Sequence, residues 1–286
     1  MPTQTIFYGQ NIKYDWEPIL PELSLKNSYT FFYNDIKYIA ATDMIRGGSV
    51  ILKETLNGQF IEHMHMFPGY TMMWSPHPVV IDDVVWAYCC DTAGGDVSHW
   101  WDFMRIFRHR INLEKKTHGK LIRVKIFEDD SGLIDPCVFK IGKWWYISYA
   151  KLWDEKDNQW WDPHYSVSKS PFGPFKEEIH LGMKDKGIDE STKVFIGTDR
   201  RLYCTWSSGD SGIDGCAFFG EIEAIGQSAE GWRYLRSKEL SKIEAKDSLL
   251  CTALDPGDWP DLIATLRFPG YPKGEMRKNF YIGKLM

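Results

Sequence analysis

The chain has 286 residues, with 34 basic against 39 acidic side chains, a formal net charge of −5 at pH 7, 43% hydrophobic and 26% charged residues. That composition excludes a disordered, collagenous or coiled-coil chain, and the mildly acidic balance gives no general attraction for nucleic-acid phosphates or anionic lipid. The unusual quantity is aromatic: 13 Trp, 14 Tyr and 16 Phe make up 15% of the chain, and such rings must fill a core or line a site that needs flat apolar faces.

The opening stretch MPTQTIFYGQNIKYDWEP has no basic start followed by an apolar core, and no run approaches 18 apolar residues. The expectation is a cytoplasmic protein without a membrane or nucleic-acid partner. The basic cluster from Arg105 to Lys120 is broken by apolar residues and Glu114 and reads as a solvated segment. Six cysteines, at 89, 90, 137, 204, 216 and 251, show no CxxC or Cys/His spacing, and five lie inside apolar runs, as reduced buried thiols do. His63 and His65 could face a metal from one strand, yet no third ligand is near. No cofactor is implied, and a structural ion in a channel stays open.

Along the chain, short runs rich in Val, Ile, Phe, Tyr and Trp recur between Gly, Pro, Asp and Asn clusters, which predicts an all-β protein. Four runs share one plan of polar opening, apolar strand, tight turn and second strand with a tyrosine: 27–43 (NSYTFFYNDIKYIAATD), 75–91 (SPHPVVIDDVVWAYCCD), 133–150 (LIDPCVFKIGKWWYISYA) and 187–206 (GIDESTKVFIGTDRRLYCTW). Their turns, NDIK, DDV, IGK and GTDRR, are hairpin turns by composition. With Tyr38, Tyr88, Tyr146 and Tyr203 taken as equivalent, the units are 50, 58 and 57 residues apart, and 248–268 supplies a weaker fifth. Five units of this size predict a single domain, 1–286, folded as a five-bladed β-propeller, with approximate blades 27–66, 74–127, 132–183, 187–240 and 246–286. The alternative is a β-sandwich with accidental periodicity. In a propeller the first strand of each blade lines the channel, so the openings Asn27, His77, Asp135 and Glu190 should converge at one end.

Several phrases carry a resemblance. IDPCVFKIGKWWYISYA followed by YSVSKSPFGPF (165–175), with EPILP (17–21), WSPHPVV (74–80) and GWRYLRSKEL (231–240), resembles the arabinanase and β-xylosidase group of glycoside hydrolases, family 43. The resemblance implies a five-bladed propeller and hydrolysis of an arabinose-, xylose- or galactose-type furanoside or pyranoside with inversion. One carboxylate activates water, one carboxylic acid protonates the departing oxygen, and a third tunes that acid. Carried over, Asp135 of the IDP phrase matches the tuner and Glu190 of EST the general acid. The base position falls on Asn27, eleven residues before Tyr38, and an amide cannot take a proton from water. Asp15, Glu22 or Asp43 could replace it; otherwise the reaction is changed or lost. A second blade register makes Asp189 the tuner and sets His77, held extended by Pro78, at the base position.

The aromatics divide accordingly. Trp86, Trp145, Tyr146 and Tyr149 follow the strand pattern. Trp100, Trp101, Trp153, Trp160, Trp161 and Trp259 fall in apparent loops near acids, where rings stack on sugars, or else cover blade edges or a subunit interface; Trp74, Trp101, Trp153 and Trp161 are the candidate substrate-binding rings. The sequence therefore predicts a glycoside-hydrolase-like protein with a carbohydrate or small-molecule substrate. Its alternatives are a catalytically silent carbohydrate-binding propeller and a biosynthetic enzyme using the channel acids for a non-hydrolytic reaction.

Overall fold

A computed structural model describes residues 14–92, 98, 100–127, 132–155, 158–182, 188–197, 199–209, 216–243, 250–258, 261–267 and 278–285. The first described strand is β1 (Tyr14–Ile19), and the sheets follow in sequence. The first holds β2 (Leu25–Tyr33), β3 (Ile36–Asp43), β4 (Ser49–Glu54) and β5 (Phe60–Met66). The second holds β6 (Trp74–Ile81), β7 (Val84–Asp91) and β8 (Arg105–Asn112), with short β9 (Thr117–His118) and β10 (Ile122–Arg123) both on β8 and a one-turn helix α1 (Trp100–Phe103) before it. β11 (Leu133–Ile141), β12 (Trp144–Glu155), β13 (Asn158–Ser168) and β14 (Lys176–His180) make the third. β15 (Ile188–Ile196), β16 (Leu202–Gly209), β17 (Cys216–Gln227) and β18 (Arg233–Ile243) make the fourth. In the last, β19 (Leu250–Asp258), β20 (Asp261–Arg267) and β21 (Lys278–Leu285) are joined by β1, antiparallel to β21.

Among the described residues there are thus five antiparallel sheets, four of four strands and one of five. Their first strands pack in a ring: β2 on β6, β6 on β11, β11 on β15, β15 on β19, and β19 back on β2. This is an all-β propeller, as the recurrence of strand runs predicts. The hairpins form where the turn residues permit. Asn34 and Asp35 (φ 51° and 59°) and Asp82 and Asp83 (φ 48° and 59°) take the paired left-handed conformation of a two-residue hairpin, and Gly142 (φ 60°) serves the third sheet.

Neighbouring sheets bury aromatic and branched side chains between them. Phe31, Tyr38, Ile51 and Met64 of the first sheet meet Val85, Ala87, Phe107 and Ile111 of the second. Phe139, Tyr146 and Tyr165 of the third meet Val194, Trp206 and Ile222 of the fourth. Polar latches reinforce the seams: His63 Nε2 pairs with the Leu113 carbonyl at 2.8 Å, and the Tyr165 hydroxyl accepts from the Leu235 amide at 2.8 Å. His65 Nε2 likewise meets the Gly47 carbonyl at 2.7 Å, so both histidines of EHMHMF have backbone partners. Cys89, Cys90, Cys137 and Cys204 are free and buried. Among the described residues no helix is long and apolar enough to cross a membrane.

One equivalence drawn from the sequence is displaced. Tyr38 pairs with Phe31, Tyr146 with Phe139 and Tyr203 with Phe195, but the residue in that place of the second sheet is Trp86, opposite Val79. Tyr88 lies two residues further on, opposite His77, and donates its hydroxyl to the Pro171 carbonyl of the SPFGPF loop. An aromatic can serve either place, so alignment on tyrosines slips the second blade by one side-chain repeat of a strand.

Candidate functional site

The first strands of four sheets share an irregularity. The ladder slips by a bulge between Lys26 and Tyr29, between Trp74 and His77, between Ile134 and Cys137, and between Glu190 and Lys193. The first residue inside each bulge has a positive φ: Asn27 (53°), Ser75 (54°), Asp135 (54°) and Ser191 (57°). Bulges re-aim side chains and concentrate next to active sites. Here they turn four polar side chains into the middle of the ring, where all four residues are buried.

Asp135 is the hub. Its Oδ1 accepts from Asn27 Nδ2 at 2.9 Å and from the Ser75 hydroxyl, while Oδ2 accepts from the Ser191 amide at 3.0 Å and the Ser191 hydroxyl at 2.7 Å. A carboxylate only accepts, so the Asn27 amide must present its NH₂ to it. That NH₂ also reaches the Ser75 hydroxyl, and Asn27 Oδ1 is enclosed without a hydrogen-bond partner among the described residues. With Asp135 only 3% exposed, four donors replace its lost hydration, the condition under which a buried charge is tolerated. Tyr29 lies beneath this layer with its hydroxyl on the Pro136 carbonyl at 3.0 Å, and buried Lys193 lays its ammonium over the Tyr29 ring at 4.3 Å and donates to the Ser28 carbonyl.

The bulges therefore set Asn27, Ser75, Asp135 and Ser191 as equivalent openings, which corrects the expected set in two blades. His77 is the first paired residue after its bulge, two residues beyond Ser75. Its ring packs edge-on against Tyr29 at 4.6 Å, Nε2 meets the Val138 carbonyl at 3.0 Å, and Nδ1 is enclosed without a partner among the described residues. Burial lowers its pKa to about 4, opposed by the Val138 carbonyl and aided by the Lys193 charge, so it is neutral at physiological pH. Glu190 precedes its bulge by one residue and Asp189 by two. The side chains of both lie outside the described residues.

The ring candidates fare unequally. Trp74 is half-buried immediately before the second bulge, with its indole N–H on the Thr71 carbonyl at 3.0 Å. Trp161 is not in a loop. β12 and β13 pair from Lys151↔Asp162 out to Glu155↔Asn158, and Trp161 is buried among Cys90, Met104, Ile134, Ala150 and Leu152. Trp101 lies in α1 and Trp153 in β12; their side chains are outside the described residues, as is Trp259. The supporting groups that sequence reasoning missed are Ser75, Ser191 and Lys193. Each follows a recurring step into its run, but a serine carries no chemical signature until a carboxylate is seen against it.

Of the carboxylates that could replace a base at Asn27, Asp43 is held by Arg46 Nε at 2.5 Å and by the Ile45 and Arg46 amides at 3.0 and 2.8 Å. Asp15 sits on β1, the outer strand of the last sheet, whereas Glu22 is exposed in the turn leading into β2. Among the described residues no three His, Cys, Asp or Glu side chains gather as metal ligands.

The fold and its central ring define a propeller with a carboxylate anchored in its channel. No family model matches the chain, and no curated protein sequence does. Solved structures do match. The α-L-arabinofuranosidase from Lactobacillus brevis superposes with a TM-score of 0.68 at 13% identity, over 91% of this chain and 90% of that one. A GH43 endo-arabinanase from Bacillus licheniformis gives 0.61 at 12% identity over 93% and 95%. An α-L-arabinanase from Cellvibrio cellulosa complexed with arabinohexaose gives 0.57 at 10% over 77% and 81%. At these identities the likeness is one of fold.

Proposed function

We propose that the chain is a single five-bladed propeller of glycoside-hydrolase type that takes a furanoside or pyranoside at the channel mouth, with Glu190 as general acid and Asp135 as its tuner, a reading supported by its likeness in fold to an α-L-arabinofuranosidase and to arabinanases. The observation that carries this reading is the bond from Asp135 Oδ2 to both the amide and the hydroxyl of Ser191, at 3.0 and 2.7 Å, because Ser191 is the residue next to Glu190. A fixed negative charge one residue from a carboxylic acid favours its protonated form, as a proton donor to a departing oxygen requires. Water must then be activated by a group other than Asn27, a role we assign to Glu22, exposed in the turn that leads into β2.

The test is hydrolysis of chromogenic arabinofuranosides, xylosides and galactosides. Glu190→Gln and Asp135→Asn should each lower kcat/KM by about 100-fold or more; activity that survives both substitutions overturns the roles. A second reading, a catalytically silent carbohydrate-binding propeller, is favoured by the Asn27 amide at 2.9 Å from Asp135, where the family's base would stand. It expects sugar affinity with no turnover on any of these substrates.

A further inference from the structure

The residue before each bulge occupies the same step of the same strand, so Lys26, Trp74, Ile134 and Glu190 form an equivalent set one level above the Asn27–Asp135 layer. Each lies opposite the second strand of its own sheet, at Thr42, Cys90, Ala150 and Ser207. Two members of the set touch across the first two sheets: the Lys26 ammonium lies 5.2 Å from the centre of the Trp74 ring. That ring is pinned by its indole N–H on Thr71.

Lys26 is half-buried, and among the described residues no carboxylate pairs with it. The nearest acid on the paired strand, Asp43, belongs to Arg46, whose guanidinium is also held by Glu62 at 2.7 Å. An aromatic face orients an ammonium without pairing it, and the Asp135 carboxylate, which like Lys26 acts on the Cys90 thiol, gives its oxygens to Asn27, Ser75 and Ser191. A half-desolvated cation in that state gains more from an arriving anion than an exposed lysine does.

Resting on the carbohydrate reading above, we propose that Lys26 is the anion-recognition residue of the channel mouth and that the sugar taken there carries an acidic group. The ammonium is a compact point charge, suited to one carboxylate or phosphate oxygen rather than to forked recognition. The Trp74 ring acts as the cradle that holds it toward the mouth.

The experiment is calorimetric titration of the full chain with galacturonate, glucuronate and galactose 6-phosphate against galactose, xylose and arabinose. The acidic sugars should bind about 10-fold or more tightly than the neutral ones, with the preference weakening as salt is raised. Lys26→Met should abolish the preference and Lys26→Arg retain it, with thermal unfolding of each variant confirming the fold. The uronate and phosphate arms identify which acid is read. Equal affinity for acidic and neutral sugars in the unsubstituted chain, a preference that survives Lys26→Met, or no binding of any sugar overturns the inference. Neutral glycosides hydrolysed without any acidic preference would leave the hydrolase reading standing and remove this one. Lys26-dependent binding with no turnover would do the reverse.

Discussion

Asn27 and Asp135 meet at 2.9 Å in a layer closed to water, and the amide supplies a donor that a carboxylate could not. Asn27→Asp is the obvious attempt to restore a base, but the geometry argues for a different outcome. Two carboxyl oxygens at that separation must share a proton, so one group of the pair titrates well above its unfolded value. The folded variant then binds more protons than the unfolded chain across the neutral range. Its stability is fully present below the ordinary carboxyl pKa and is lost as pH rises through the elevated one. Urea unfolding at pH 5 and pH 8 should therefore show a deficit against the unsubstituted protein that grows toward pH 8. A variant equally stable at both, and newly hydrolytic, would mean that water reaches position 27.

At the level of the element, the repeated device is the bulged first strand. A non-glycine residue with φ near 57° costs on the order of 1 to 3 kcal/mol, and Ser191 holds that conformation while its hydroxyl and amide both engage Asp135. This inverts an ordinary substitution rule. Within a regular strand alanine is better tolerated than glycine, but here Ser191→Gly loses one hydrogen bond and sheds the strain, while Ser191→Ala loses the bond and keeps the strain. The expected stability order is Ser, then Gly, then Ala, with Gly above Ala by about 1 kcal/mol, measured by urea unfolding; the reverse order would remove the strain argument. The same bulge explains what the sequence could and could not convey. Hairpin turns such as NDIK and DDV announce themselves, because Asn and Asp tolerate the left-handed conformation. Asp135 was legible from its IDP phrase. Ser75 and Ser191 were not, because a bulge adds a residue without any compositional mark, and an alignment that counts from tyrosines passes over it. Lys193 was hidden for a related reason: a lysine inside a strand run reads as solvent-facing, whereas the slip in the ladder turns it into the channel.

The whole molecule depends on joining the two ends of its chain. The first four sheets are each laid down by one continuous stretch, but the last takes β1 from the opposite end, paired with β21 from Tyr14↔Leu285 to Ile19↔Phe280. β1 also serves a second neighbour, since buried Ile19 packs with Leu25, Ile39 and Val50 of the first sheet. The strand thus holds the last sheet and touches the first, at the seam where the ring closes through β19 and β2. Sequence spacing gave no hint of this, because EPILP lies outside every repeated unit. A chain beginning at Pro21 would leave β21 as a bare edge with its hydrogen-bonding groups unpaired, a template for association. It should melt at lower temperature than the full chain and elute as larger species on size exclusion. A synthetic peptide spanning 14–20 should restore much of the loss, because it supplies the same ladder without the covalent link. If the shortened chain melts unchanged and stays the size of the parent, the closing strand does not hold the ring.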